Sequence, residues 1–177
     1  MMKDWAERFW RSLSLAGLLA GTLFFAASLT PSLIPRGFAV QGVLSGIAFS
    51  AGYGIGTLGQ WLWAWLELPA PQARGMRIAK QAAAVACTGI ALAFLWQASA
   101  WQNSIRDLMG MEPVESARPV QVGLIALAVF IALLAIGRLF RLVGRLVSRR
   151  LRAFLPRRIA AASGIAVAAV LFVGVAN

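Results

Sequence analysis

The fold is decided by the stretch Pro119–Gly137, PVQVGLIALAVFIALLAIG, which holds 19 residues without one Asp, Glu, Lys or Arg. An apolar helix of roughly 18 residues or more is long enough to cross the hydrocarbon core of a bilayer. Four further uncharged stretches of 24, 30, 25 and 19 residues occupy Ser12–Pro35, Gly37–Leu66, Gln81–Ile105 and Ile159–Asn177. The sequence therefore predicts an all-α, polytopic transmembrane helix bundle with about five spans.

Composition supports this prediction. Of the 177 residues, 60% are hydrophobic and 13% are charged, whereas about 25% of a soluble domain is charged. We interpret residues 1–177 as a single transmembrane domain. The predicted spans lie near 13–33, 39–63, 81–102, 119–137 and 159–176.

The basic residues predict the orientation of the spans. Lys and Arg number 3 before the first span, and 1, 3, 2 and 8 in the four connections that follow. Cytoplasmic segments of membrane proteins carry the excess of Lys and Arg. This alternation predicts a cytoplasmic amino terminus and an extracytoplasmic carboxyl terminus, with fourteen of the 17 basic residues on the cytoplasmic side.

The longest connection, 138–158, has a pattern of its own. Arginines recur at 138, 141, 145, 149 and 152, which aligns them on one helical face, with apolar residues between them. A basic amphipathic helix between spans four and five, bound to anionic lipid headgroups, is one interpretation. The other is an extension of span four that only enforces topology. Either one explains the net charge of +11 without a nucleic-acid partner.

Glycines spaced four apart mark helix faces that permit close packing. The pairs are Gly17 with Gly21, Gly42 with Gly46, and Gly52 with Gly56. We expect these pairs to form seams between spans one and two; a homodimer interface is the alternative.

Prolines and small residues mark boundaries. Pro31 and Pro35 predict a tight hairpin after span one, and Pro119 suits the first turn of the fourth helix. Gly110 predicts a turn between spans three and four. A cleaved signal peptide, cut near Ala26, is an alternative for span one, but the apolar stretch exceeds the usual 7 to 15 residues.

No residues are predicted for catalysis, cofactor binding or metal binding. The chain has no His and a single cysteine, Cys87, whose place in an apolar run is typical of a packing residue. The match of Gly54–Gly59 to G-x-G-x-x-G is interpreted as accidental, because a dinucleotide site needs a preceding strand. Gln41, Gln60, Gln81 and Gln97 are expected to cap or bridge helices, since the spans contain no ionisable group suited to transport.

Several segments resemble a bacterial family of membrane-anchored α/β-hydrolase proteins, in its amino-terminal membrane region. They are Ser28–Arg36 (SLTPSLIPR), Gln41–Gly46 (QGVLSG), Gly52–Tyr-Gly-Ile-Gly56 and the loop Trp101–Pro113, followed by the arginine-rich helix. The resemblance implies location in the bacterial inner membrane and a hydrolase domain after the membrane bundle. This chain carries neither His nor G-x-S-x-G, so no catalytic residue is carried over.

The resemblance therefore implies a non-catalytic membrane anchor whose hydrolase domain is absent from this chain, with that domain or a homo-oligomer as partner. The alternative is a stand-alone small membrane protein that binds a partner or lipid through its glycine-rich faces and arginine-rich helix. A channel or carrier is the third hypothesis and the one that the sequence favours least.

Overall fold

The computed structural model describes residues 7, 9–10, 12–30, 37–69, 73–108, 110 and 118–151, and these contain helices and no strand. The helices are α1 (Leu15–Ser28), α2 (Phe38–Trp65), α3 (Ala73–Leu108) and α4 (Pro119–Leu151). Helical residues also precede α1, among them Phe9 and Trp10. The prediction of an all-α chain is confirmed.

Three of these helices have the length and composition needed to cross a membrane. The stretches are Phe38–Trp65, Gly75–Ala98 and Pro119–Arg150, of 28, 24 and 32 residues. By contrast, α1 is a shorter apolar helix of 14 residues, or about 21 Å at the usual rise of an α-helix. It is shorter than the predicted first span, 13–33, whose last residues lie outside the described ones. The predicted fifth span, 159–176, also lies outside them.

Local signals in the sequence account for three of these helix ends. The side chain of Ser14 caps α1 by accepting the backbone N–H of Gly17 at 3.0 Å. The start of α4 at Pro119 confirms the prediction made from that proline. After α3, Gly110 has φ 63°, a left-handed conformation that glycine adopts without a steric penalty, and the predicted turn is confirmed there.

The chain divides into two compact units, Met1–Phe130 and Ile131–Asn177. In the first unit, α1 and α2 run antiparallel, because the start of α1 contacts Tyr53 while Ser28 at its end contacts Ser45. Near its own start, α3 contacts the residues before α1, and farther along it Cys87 lies beside Leu18, so α3 is parallel to α1. Successive helices thus alternate in direction, as consecutive membrane spans do.

The core of the first unit is formed by apolar residues from all four helices. Phe25, Leu29, Leu95, Val122 and Ala126 form its buried cluster. The ring of Phe49 packs edge to face on that of Phe130, with 4.7 Å between ring centroids. Aromatic contacts of this geometry stabilise beyond the area that they bury.

The second unit is described over 131–151, all of it helical. The helix continues past residue 137, where the fourth span was predicted to end, as far as Leu151. The described part of the predicted basic connector, 138–151, is therefore a continuation of α4. Residues 152–158 lie outside the described residues.

Candidate functional site

Among the described residues, the helices pack most closely where α1 contacts α2, and this contact is here called the α1–α2 seam. A Cβ placed on Gly56 would lie 2.2 Å from the backbone oxygen of Ala16 and 2.7 Å from the Cα of Gly17. One on Gly52 would lie 2.6 Å from the backbone oxygen of Ala20. Only glycine allows backbones to approach this closely, and the predicted seam is confirmed for Gly17, Gly21, Gly52 and Gly56.

The remaining glycine pair packs elsewhere. A Cβ on Gly42 would lie 2.7 Å from the Cβ of Ile125, and one on Gly46 would lie 2.7 Å from the backbone oxygen of Ala126. Their partner is α4, so the prediction that this pair joins spans one and two is wrong. The reason is helical periodicity: ten residues separate Gly42 from Gly52, which turns the two pairs about 80° apart on α2.

A buried polar cluster fastens one end of the α1–α2 seam. The Nε2 of Gln41 donates to the backbone oxygen of Ser28 at 2.8 Å and to the Oγ of Ser45 at 3.1 Å. The hydroxyls of Ser28 and Ser45 lie 2.8 Å apart, and Ser45 is 0% exposed. Each of these polar groups has a partner, so the cluster holds the helices together without needing water.

A second polar cluster lies at the other end of the same seam. The Oγ of Ser14 donates to the Oε1 of Gln60, and the backbone N–H of Ser14 donates to the hydroxyl of Tyr53 at 3.1 Å. Because Gly17 also donates its backbone N–H to the Ser14 hydroxyl, Ser14 joins three residues of two helices where α1 begins. The expectation that glutamines bridge helices is confirmed for Gln41 and Gln60. Gln81 and Gln97 are exposed.

Lys80 joins α3 to the residues before α1. Its Nζ donates to the backbone oxygen of Trp10 at 2.6 Å and to that of Leu13. The same Nζ lies 5.3 Å from the centroid of the Trp10 ring, within the range of a cation–π interaction. Sequence reasoning counted Lys80 only as a topology signal. The sequence predicts that Trp10 is an interfacial aromatic residue, but no pattern in it predicts a contact between Lys80 and Trp10.

A cavity of about 170 Å³ opens among the four helices of the first unit. Its lining includes Phe25, Phe49, Ala91, Leu95, Ala126 and Phe130, and among the described residues no polar side chain lines it. A cavity of this composition accepts apolar groups, but it offers no acid, base or nucleophile for a reaction.

The described residues contain no group of three or more His, Cys, Asp or Glu that could hold a metal. Cys87 is partly buried, with its Sγ 3.8 Å from the backbone oxygen of Leu18, in keeping with a packing role. Gly54–Gly59 lies within α2 and follows no strand, so it lacks the setting of a dinucleotide site. With no strand among them, the described residues do not form an α/β-hydrolase fold.

The outer surface of the helices is strongly apolar. Val85 is 75% exposed, Trp96 80%, Val120 72% and Leu124 61%. Large apolar side chains exposed to this degree on several helices are unusual on a water-soluble protein. Together with three helices of spanning length, it defines a helical protein compatible with a membrane.

The chain belongs to the family described as "Alpha/beta-hydrolase family N-terminus", whose sequence model matches residues 29–177. The resemblance seen in the sequence is thereby confirmed. No curated protein and no solved structure matches the chain.

Proposed function

We propose that this chain is a non-catalytic anchor that holds an α/β-hydrolase domain at the outer face of the bacterial inner membrane. The observation that carries the proposal is the exposed apolar surface of α2, α3 and α4, each long enough to cross a bilayer. Membership of a family described as the amino terminus of α/β-hydrolases supports a hydrolase domain as the proposed partner.

The packing of the first unit suits an anchor. A domain that holds another must keep its own helices in register, and close packing at small residues and hydrogen bonds between helices both promote helix association in a membrane. In the α1–α2 seam both are present, with the Ser28–Gln41–Ser45 cluster at one end and the Ser14–Tyr53–Gln60 cluster at the other.

Orientation is tested with reporters fused after Pro69, Gly110 and Asn177. A fluorescent protein that folds only in the cytoplasm should be active after Pro69. A phosphatase active only outside the cytoplasm should be active after Gly110 and after Asn177. A phosphatase that stays inactive after Asn177 would exclude an anchor for an external enzyme.

The hydrolase partner is tested in the genome and by affinity capture. An α/β-hydrolase with a G-x-S-x-G serine should be encoded directly downstream, in the same frame or as the next gene. Where it is a separate gene, the tagged hydrolase should retain this chain after mild detergent extraction. Copurification of this chain with the tagged hydrolase, but not with the same hydrolase lacking the tag, supports the proposal. Failure to copurify contradicts it.

The stand-alone alternative is weakened by one observation. Its glycine-rich faces were to bind a partner, but Gly17, Gly42, Gly46 and Gly56 already contact neighbouring helices of the same chain. What remains of that alternative is the arginine-rich part of α4.

A further inference from the structure

The part of α4 from Arg138 to Arg150 carries an apolar strip that faces outward. Leu139, Leu142 and Leu146 are 51%, 46% and 52% exposed. At 3.6 residues per turn, the three leucines fall within an arc of about 60° around the helix axis. They form one continuous surface, here called the leucine strip.

Arginines border the leucine strip on both sides. Arg141, Arg145 and Arg149 are exposed and, with Arg138, fall within an arc of about 80° that ends beside Leu142. On the opposite border, Arg150 lies about 20° from Leu139 around the axis. Arg145 donates its Nε to the backbone oxygen of Arg141 at 3.3 Å, which leaves its other guanidinium N–H groups outside that contact.

The leucine strip is distinct from the packed face of the same segment. Phe140, Val143 and Val147 are half-buried, and Ser148 is 9% exposed with its hydroxyl bonded to the backbone oxygen of Gly144. A segment that only enforced topology would need arginines, but it would not need three exposed leucines set between them.

The positive charge of the segment favours an anionic partner. After Glu115 the sequence contains no Asp or Glu, so an anionic partner for these arginines comes from outside that stretch. We infer that the leucine strip and its two arginine borders bind an anionic phospholipid surface. The leucines enter the acyl region while the guanidinium groups reach the phosphates, with which arginine forms paired hydrogen bonds. RNA would engage the arginines and leave the leucines in water.

This inference rests on the membrane location in the proposed function, and one control separates the two. The full chain is reconstituted into vesicles of phosphatidylcholine, or of phosphatidylcholine mixed equally with phosphatidylglycerol. Release of the chain by alkaline carbonate would overturn the membrane location itself. If the chain stays in the vesicles, the membrane location stands and the binding of lipid by the leucine strip can be tested separately.

Depth is measured with spin labels on single cysteines in a Cys87→Ala background. The test positions are Leu142 and Leu146, with Leu124 as the lipid reference and Gly110 as the aqueous reference. In the anionic vesicles, labels at 142 and 146 should collide with oxygen as the Leu124 label does. Collision with a water-soluble nickel chelate, as at Gly110, would overturn the inference, and so would immobilisation against a second protein.

Substitutions at the arginines then show how much of the lipid binding depends on positive charge alone and how much on the guanidinium group. Replacing Arg141, Arg145 and Arg149 with Gln should lower the affinity for fluorescent phosphatidylglycerol about fivefold per residue. The matched Lys variants keep the charge and should retain most of the binding. Arg77→Gln, on an exposed face of α3, should have no effect. Equal lipid binding by the Gln and Lys variants, or RNA displacing the lipid from the wild-type chain, would overturn the inference.

Discussion

Gly56 is the residue at which α1 and α2 approach most closely. Because a Cβ there would lie 2.2 Å from a backbone oxygen, Gly56→Ala can be accommodated only by moving a helix. We expect a loss of roughly 1–3 kcal/mol in the free energy of unfolding, the usual range for overpacking. Titration of the full chain with SDS in mixed micelles, followed by tryptophan fluorescence, measures it.

Gly59→Ala is the matched control on the same helix, since nothing lies within 4 Å of a Cβ at Gly59. Alanine is favoured over glycine in a helix by up to about 1 kcal/mol, so this variant should be unchanged or more stable. Equal effects of Gly56→Ala and Gly59→Ala would contradict the assignment of Gly56 to the seam.

Ser45 is the fully buried member of the polar cluster at one end of the seam. Ser45→Ala removes its bonds to Gln41 and Ser28, although Gln41 keeps the backbone oxygen of Ser28. Since single hydrogen bonds between membrane helices average about 0.6 kcal/mol, with values up to about 1.7, we expect a loss in that range by the same titration. Ser50→Ala is the control, because the Ser50 hydroxyl bonds within its own helix. A larger loss at Ser50 would refute the bridging role.

Glu67 has φ 54° just after the end of α2, in the left-handed region that disfavours side chains. The backbone N–H of Leu68 reaches the oxygen of Trp63 at 3.3 Å, as in a Schellman ending. Glu67→Gly should therefore raise stability by about 1 kcal/mol. Glu67→Ala keeps the strain and should not do so. A gain in both variants would point to charge as the cause.

At the scale of elements, Lys80 connects α3 to the residues before α1. Lys80→Met removes the donor to the backbone oxygens of Trp10 and Leu13 while retaining an apolar stem. We expect faster hydrogen exchange over 9–13, with exchange in α2 unaltered. Arg77→Met, an exposed residue one turn earlier, serves as the control. Unchanged exchange over 9–13 would show that the contact contributes nothing to holding this segment.

The helices themselves could be predicted because each depends on a local signal. Uncharged runs set α2, α3 and much of α4, and Pro119 fixed the start of α4 through its fixed φ and missing N–H. The end of α4 was less predictable. Residue 137 is where charge begins, but a helix does not stop at a charge, and arginine and leucine are good helix formers.

The partners of each helix were harder to predict than the helices. The spacing of Gly42 and Gly46 revealed a face for close packing, but several helices could fill it, and α4 does. Lys80 and Trp10 are 70 residues apart, and no local pattern links them. The polar clusters were partly predictable, because a glutamine in an apolar run needs a hydrogen-bond partner. Which hydroxyl the glutamine bonds to depends on the register of the two helices.

At the scale of the whole molecule, we propose that charge, and not helix packing, sets the orientation of the chain in the membrane. The alternating directions of the helices in the first unit suit a chain that crosses a membrane repeatedly, and they are equally compatible with both orientations. In the proposed topology the distribution of Lys and Arg favours one of the two orientations, because basic loops of membrane proteins are retained in the cytoplasm. The strongest retention signal is the eight arginines of 138–158.

Neutralising the arginines nearest the predicted fifth span should therefore make the orientation of that span less uniform. These are Arg149, Arg150, Arg152, Arg157 and Arg158, to be changed to Gln together. We expect a phosphatase fused after Asn177 to lose part of its activity, as a fraction of chains keeps the carboxyl terminus inside. The same five positions changed to Lys keep the charge and should leave the signal intact. A Gln variant that kept the full external signal would show that the positive charge of this connection does not direct the carboxyl terminus outward. The proposed anchor would then need another determinant of its topology.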